Sequence, residues 1–149
     1  MSGLYYEDFV IDDVIKHEVT RTVTETDNLL VTTLTMNVQP LHLDEEFAKD
    51  SPFGKRIVNS IFTLGLVTGI PVQDTTLGTT LGNLEFRNIE FPNPVYVGDT
   101  LRVETMALDK RESKSKPDRG IVGIEHRGFN QNDDLVCVVR RTALMKRRP

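Results

Sequence analysis

Two residues five apart in the stretch TLTMNVQPLHLDEEFA, Asn37 and His42, are the pair best suited to chemistry on a polar substrate. Histidine titrates near neutral pH, so His42 can take a proton from water and return it, as base in one direction and acid in the other. An asparagine moves no proton. Its amide oxygen can hold a water, and its nitrogen can donate to a carboxylate that an aspartate there would repel. Pro40 restricts the residue before it and has no N–H to donate, so the sequence predicts a loop over 37–43. Such a loop lets both side chains turn into one pocket. Each also has a plainer reading, as a loop histidine held by a hydrogen bond and as an asparagine closing an Asx turn ahead of the proline. Asp44 reads as the cap of a short helix in EEFA rather than as a base.

These residues need a frame. Residues 14–24 carry many β-branched side chains in partial alternation, which favours a strand. TETDNLLVTTLT offers Thr24 or Thr26 as a cap with acidic residues behind it, predicting a short helix, and LDEEFAKD predicts one or two helical turns before the turn SPFGK. Residues 56–70, RIVNSIFTLGLVTGI, hold no charge after the first position and favour by their length a buried helix ended by Pro71. Gly65 and Gly69 weaken that helix, so packing must hold it. Four strand-like segments follow: TLGNLEFRNIEF, TLRVETMALDKRES, GIVGIEHRGFNQ and LVCVVRRTALMKR, the first two joined by the turn-rich NPVYVGD. The implied fold class is α+β, an antiparallel sheet of about five strands wrapped around one central apolar helix.

With 149 residues, the chain fits a single domain over 1–149, and no repeat, low-complexity tract or linker divides it. A 38% hydrophobic and 27% charged content is that of a soluble globular protein. No apolar run approaches the roughly 20 residues of a membrane-spanning helix. The start MSGLYYEDFVIDD is acidic where an export signal would be basic and then apolar, so a cytoplasmic location is expected, with no membrane partner. The single cysteine, Cys137 in LVCVV, excludes an intrachain disulfide and reads as core. A net charge of -4 disfavours nucleic-acid binding. The basic residues gather in DKRESKSKPDRG and VVRRTALMKRRP, which suit either a phosphorylated small ligand or a solvated hairpin tip and tail. His17 and His126 fall on predicted strands without the carboxylate spacing of metal ligands, and no metal is expected.

The order of strand, short helix, QPLHLD, buried helix IVNSIFTLGLVTGI, FPNPVYVGDTL and long strands resembles a MaoC-type hot-dog domain over nearly the whole chain. In detail it resembles the (R)-specific enoyl-CoA hydratases. Their motif Asp-x-Asn-Pro-x-His-x-Asp, followed by Ile-x-His-Gly at the start of the central helix, is met here by NVQPLHLD and IVNS. The resemblance places the family's catalytic histidine on His42 and its catalytic aspartate on Asn37. The motif's asparagine becomes Gln39, Pro40 and Asp44 are kept, the His-Gly pair becomes Asn59 and Ser60, and a hydroxyl residue farther along the helix falls on Thr68. TLTMNVQPLHLDEEFA, IVNS, RESKSKPDRGIVGIEHRGFNQ and RRTALMKRRP together are similar to a narrower branch, the mesaconyl-CoA hydratase or methylmalyl-CoA dehydratase type, several of whose members are double-length chains.

The resemblance implies an acyl-CoA hydratase/dehydratase working across the 2,3 double bond of a short, branched or dicarboxylic enoyl-CoA. The coenzyme A thioester is then the substrate, with no separate cofactor. In that reading His42 moves the proton, and Asn37 holds the water or spares a substrate carboxylate from repulsion. The N–H near Ser60, at the positive end of the helix, donates to the thioester oxygen. Gln39, Asn59 and Thr68 would line the substrate, although a helix threonine can also bond back to its own carbonyls. Lys114, Lys116 and Arg119 would meet the coenzyme A phosphates. A lone hot-dog sheet leaves an edge that the family covers by homodimerisation, with the sites at the interface. Two other readings stay open. A hot-dog thioesterase would want a water-activating carboxylate where this loop has Asn37. A non-catalytic acyl-CoA binding or scaffold subunit would bind without turnover.

Overall fold

The structure, a computed structural model, describes residues 3–149. A 3-10 turn at Tyr6–Asp8 is followed by strands β1 (Val14–Lys16) and β2 (Arg21–Thr22) and by helices α1 (Glu25–Leu34), α2 (Pro40–Leu43) and α3 (Glu45–Lys49). The central helix α4 (Ser60–Gly69) and the one-turn α5 (Val72–Thr75) lead to four long strands: β3 (Thr80–Glu90), β4 (Thr100–Glu112), β5 (Arg119–Phe129) and β6 (Leu135–Lys146). The strands form an antiparallel sheet in the order β1–β4–β5–β6–β3, with β2 also paired to β4. Helix α4 lies across one face against β4, β5 and β6. This is the α+β, hot-dog arrangement expected from the sequence.

Four local expectations are corrected. The strand predicted over 14–24 is two short strands, because the chain turns at 17–20 to send His17 inward, where Asp74 and Thr105 hold its ring. The loop predicted over 37–43 contains one helical turn, α2. Pro40 stands at its first position, where the missing N–H has no helical partner to lose. The central helix starts at Ser60 rather than Arg56, since the Asn59 side chain caps it by accepting the Ile61 N–H at 3.0 Å and Val58 is drawn out to bond Val95. Pro71 ends α4 but does not end helix, because α5 follows directly.

Two apolar clusters hold α4 to the sheet. Val67 and Ile70 pack on Val103, Cys137 and Val139, while Phe62 and Leu66 lie against Val23, Val58, Val95, Leu101 and Val136. Gly128 on β5 permits the close approach, because a Cβ there would stand 2.5 Å from Val67 Cγ2. Cys137 is core as expected, and burial pushes its thiol up to about 11. A third cluster at the other end of the sheet joins Tyr6 and Phe9 to Ala107, Val122, Ile124, Ala143 and Met145. The outer side of α4 is not covered within the chain: Ile61 is 56% exposed, and a Cβ at Gly65 or Gly69 would meet nothing within 4 Å.

Candidate active site

Helix α1 is built inside out. Thr24 and Asp27 cap it reciprocally, with Asp27 N–H on Thr24 Oγ1 at 3.2 Å and Thr24 N–H on Asp27 Oδ2 at 2.7 Å. A two-pronged bond from Arg21 holds the Asp27 carboxyl well below the usual carboxylate range. Yet the fully buried side chains of α1 are the polar Asn28 and Thr32, one turn apart, while Leu30 and Leu34 are exposed. A polar inner face pays its desolvation only by bonding, and it does so here. Asn28 donates its amide to the His42 carbonyl at 3.2 Å and accepts the Asn59 N–H at 2.9 Å. Thr32 Oγ1 accepts from the Asn59 side chain at 3.3 Å, and its carbonyl accepts the Asn37 N–H at 3.0 Å. Arg56 ties the same elements from outside, bonding Glu25 on α1 and Glu45 on α3.

This frame sets the chemistry of His42. Its ring is buried, and Nδ1 lies 2.9 Å from the Ile57 carbonyl oxygen. A carbonyl only accepts, so Nδ1 carries the proton and the neutral ring keeps its lone pair on Nε2. That nitrogen bonds to none of the described residues and is the atom a base would use. The Ile57 N–H in turn donates to the Leu41 carbonyl at 3.3 Å, so α2 and the approach to α4 are laced together twice.

Three residues on, α4 begins. Ile61 N–H is taken by the Asn59 cap, and Phe62 and Thr63 N–H turn back to the Asn59 carbonyl. Only the Ser60 N–H of this first turn has no partner among the described residues, at the end where the helix dipole is positive. Ser60 lines a cleft of about 240 Å³ with Ile57, Thr63, Phe91, Pro94 and Val136, and Phe53 forms its rim. Phe53 also borders a cleft of about 480 Å³ lined by Gln39, Leu41 and Phe47. Ser60 and Gln39 thus border two clefts that share Phe53, and His42 is bonded to Ile57, a residue of the Ser60 cleft.

The other sequence candidates fall elsewhere or are otherwise engaged. Asn37 closes the Asx turn, its Oδ1 accepting the Gln39 N–H at 3.0 Å, so Nδ2 is its free group. Asn59 is 2% exposed, and its amide is used by Thr32 and Ile61. It builds the site without facing it. Asp44 caps α3 through the Phe47 N–H at 3.0 Å. Thr68 bonds back to Leu64 at 2.9 Å and borders a different cleft. Lys114 and Lys116 lie in the β4–β5 turn, and Arg119 is paired with Asp118. Within the chain, eleven residues of β4 separate that turn from Leu101 at the α4 end, roughly 36 Å at 3.3 Å per residue.

Sequence reading missed Asn28 and Thr32. The available signal was two polar residues four apart, opposite leucines, on a well-capped helix. It also missed a buried row in which His17, Thr105, His126 and Arg141 are bonded in succession, with neither histidine on a metal-like site. Among the described residues, no three His, Cys, Asp or Glu side chains gather as a metal site requires, and no helix is long and apolar enough to cross a membrane.

Comparison with known proteins fits this picture. The chain is 29% identical over 147 residues to mesaconyl-CoA hydratase of Cereibacter sphaeroides, covering 99% of this chain and 42% of that one. It is 30% identical over 146 residues to beta-methylmalyl-CoA dehydratase of Chloroflexus aurantiacus, covering 98% and 41%. The chain thus spans about two fifths of the length of these curated relatives. Among solved structures, a protein of Archaeoglobus fulgius described as a monoamine oxidase regulatory protein superposes with a TM-score of 0.88 at 29% identity, over 100% of this chain and 98% of the other. The sequence model of the MaoC like domain matches residues 8–128, and the chain belongs to that family.

Proposed function

We propose that this chain is an acyl-CoA hydratase/dehydratase whose substrate is a short dicarboxylic enoyl-CoA of the mesaconyl-CoA kind. The observation that carries the reading is a lone pair held on His42 Nε2 by the Ile57 carbonyl, three residues ahead of the unpartnered Ser60 N–H at the start of α4. Names of relatives support the substrate class: one acts on mesaconyl-CoA and another dehydrates beta-methylmalyl-CoA. In hydration, His42 Nε2 takes a proton from water as the water oxygen bonds to C3. The electrons of the double bond move to the thioester oxygen, which the Ser60 N–H receives. The imidazolium, steadied through Nδ1 by the Ile57 carbonyl, then returns the proton to C2. Asn37 adds no negative charge where an aspartate would, and the coenzyme A thioester needs no further cofactor.

A homodimer joined through β3 is part of the proposal. That strand is the long edge of the sheet, opposite short β1, and Leu81, Leu84 and Phe86 along it are 41%, 52% and 46% exposed. For the thioesterase reading the Ser60 cleft itself offers no carboxylate, and Asp50 lines the adjoining cleft with Gln39. The engaged Asn37 oxygen favours one alternative, a subunit that binds acyl-CoA without turning it over. Loss of enoyl-thioester absorbance separates them. Mesaconyl-CoA should be hydrated by the native chain and not by His42→Ala, whereas binding of the thioester with no absorbance change in either protein refutes the hydratase.

A further inference from the structure

We propose that Arg141 is a carboxylate-binding subsite for the free acid of a dicarboxylic acyl group, an assignment that rests on the substrate class argued above. Residues of β4, β5 and β6 that point to the α4 side are apolar at both ends of the sheet, but Thr105, His126 and Arg141 form a polar row between the two ends. Its proton positions are determined by its cationic end. Arg141 Nε donates to His126 Nε2 at 3.0 Å, so His126 is neutral and donates from Nδ1 to Thr105 Oγ1 at 2.8 Å. Thr105 in turn donates to His17 Nε2 at 2.7 Å, and His17 Nδ1 donates to Asp74 at 2.7 Å. The row holds Arg141 rigidly while contributing no charge next to it.

Arg141 itself is only 7% exposed and has no carboxylate within ion-pair distance among the described residues. Its neighbour Arg140, on the other face of β6, shows the ordinary solution, a 2.7 Å pair with Glu125. A buried guanidinium without a counter-ion is costly, and an arriving anion removes that cost. Nη1 is engaged with Asn83 at 3.3 Å, while Nη2 bonds to nothing in the described chain. A cleft of about 270 Å³ opens in front of it, bordered by Thr68, Val72, Thr76, Thr80 and Phe86. One guanidinium edge with a hydroxyl rim suits a single carboxylate, whereas a phosphate would call for more cations.

Position within the proposed dimer makes the subsite reachable. Thr68 lies eight residues beyond Ser60 on α4, about 12 Å at 1.5 Å per residue, too far for one short acyl group within a protomer. Pairing of two β3 edges about a twofold axis normal to the sheet reverses α4 relative to its mate. The Arg141 half of one protomer then faces the thioester end held by the partner's His42.

The test uses saturated thioesters, so that binding is read without turnover. Calorimetric titration of the native protein should show succinyl-CoA bound roughly 10- to 100-fold more tightly than butyryl-CoA, the range expected for a hydrogen-bonded charge. Arg141→Gln should bring that ratio close to one. Should that variant fail to fold, Asn83→Asp on β3 places a carboxylate against Nη1 and should erase the preference by occupying the site. A native protein without preference, or a preference kept in both variants, overturns the assignment. Turnover of mesaconyl-CoA is scored separately: its absence in the native protein refutes the hydratase reading, while the binding ratio still decides Arg141. Mixing His42→Ala with Arg141→Gln subunits should restore about a quarter of native mesaconyl-CoA turnover, from the one whole site per mixed dimer. No recovery would place both residues in a site of one protomer.

Discussion

Asn28 touches no substrate cleft, yet its removal should cost both stability and turnover. In Asn28→Ala the His42 carbonyl loses a donor and the buried Asn59 N–H loses its acceptor. Each buried group left unpaired costs about 1–3 kcal/mol, and alanine regains a few tenths as a better helix former, so the net loss is about 2–5 kcal/mol. For a chain of 149 residues that lowers the melting temperature by roughly 5–15 °C, leaving a folded population at 25 °C. The same bonds hold the α2 turn against the start of α4, so turnover should fall about 10- to 100-fold, the scale of a 1 Å displacement of a catalytic group. The assay pairs thermal unfolding with hydration of mesaconyl-CoA, beside Thr33→Ala as control. Thr33 is exposed on the same helix and bonds back only to Leu29 and Leu30, so its loss should be neutral. An Asn28→Ala protein that melts within 2 °C of the control and keeps its rate would refute the idea that α1 positions the site.

Three further outcomes are expected. Asn37→Asp should weaken use of mesaconyl-CoA while sparing crotonyl-CoA, as read from kcat/KM for each; equal loss on both would count against a charge effect. Met36 holds φ at 58° where α1 ends in paired bonds from Met36 to Thr33 and from Asn37 to Thr32, so Met36→Gly should stabilise the chain by about 0.5–1 kcal/mol in denaturant titration, and a lower stability would show that the methionine contributes more than its backbone costs. Burial, reinforced by Arg141 and His17, holds His126 well below the usual imidazole range. The unfolded chain therefore takes up a proton below about pH 6.5 that the folded chain refuses, and stability present above that pH is lost as pH falls, by up to about 1.4 kcal/mol per pH unit. Melting temperatures between pH 7 and 5 should fall more steeply for the native protein than for His126→Asn, and equal slopes would exclude this source.

The sheet was readable because its strands alternate: on β4, Leu101, Val103, Thr105 and Ala107 all turn inward. The caps of α1 and α3 were readable because Thr24 and Asp44 precede acidic first turns. The start of α4 was not, since Ile57 and Val58 continue its apolar character and only the Asn59 cap marks the boundary. His42 could be singled out, but its tautomer could not, because the Ile57 carbonyl that sets it belongs to another segment brought close by folding. The separation of the basic hairpin from the α4 start within one chain was not readable for a related reason: composition says nothing of the length of strand between them. Arg141 left a signal that went unread. Two adjacent arginines on a strand must face opposite ways, so one of the pair Arg140 and Arg141 had to point inward.

Asn37 and Arg141 bear on the same charge of the proposed substrate from two directions. One avoids a carboxylate at position 37, and the other supplies a cation. Two like charges about 6 Å apart repel by about 3 kcal/mol at an effective dielectric constant of 20, roughly a hundredfold in binding or rate. A lost charge-assisted bond to Arg141 is worth a similar factor. If the two residues act separately on one carboxylate, their effects on the ratio of mesaconyl-CoA to crotonyl-CoA turnover should multiply in the double variant Asn37→Asp/Arg141→Gln, giving a chain that favours the neutral substrate. A double variant no more altered than either single one would mean that the substrate acid meets only one of them, and the residue whose single change reproduces the full effect would be the one it meets.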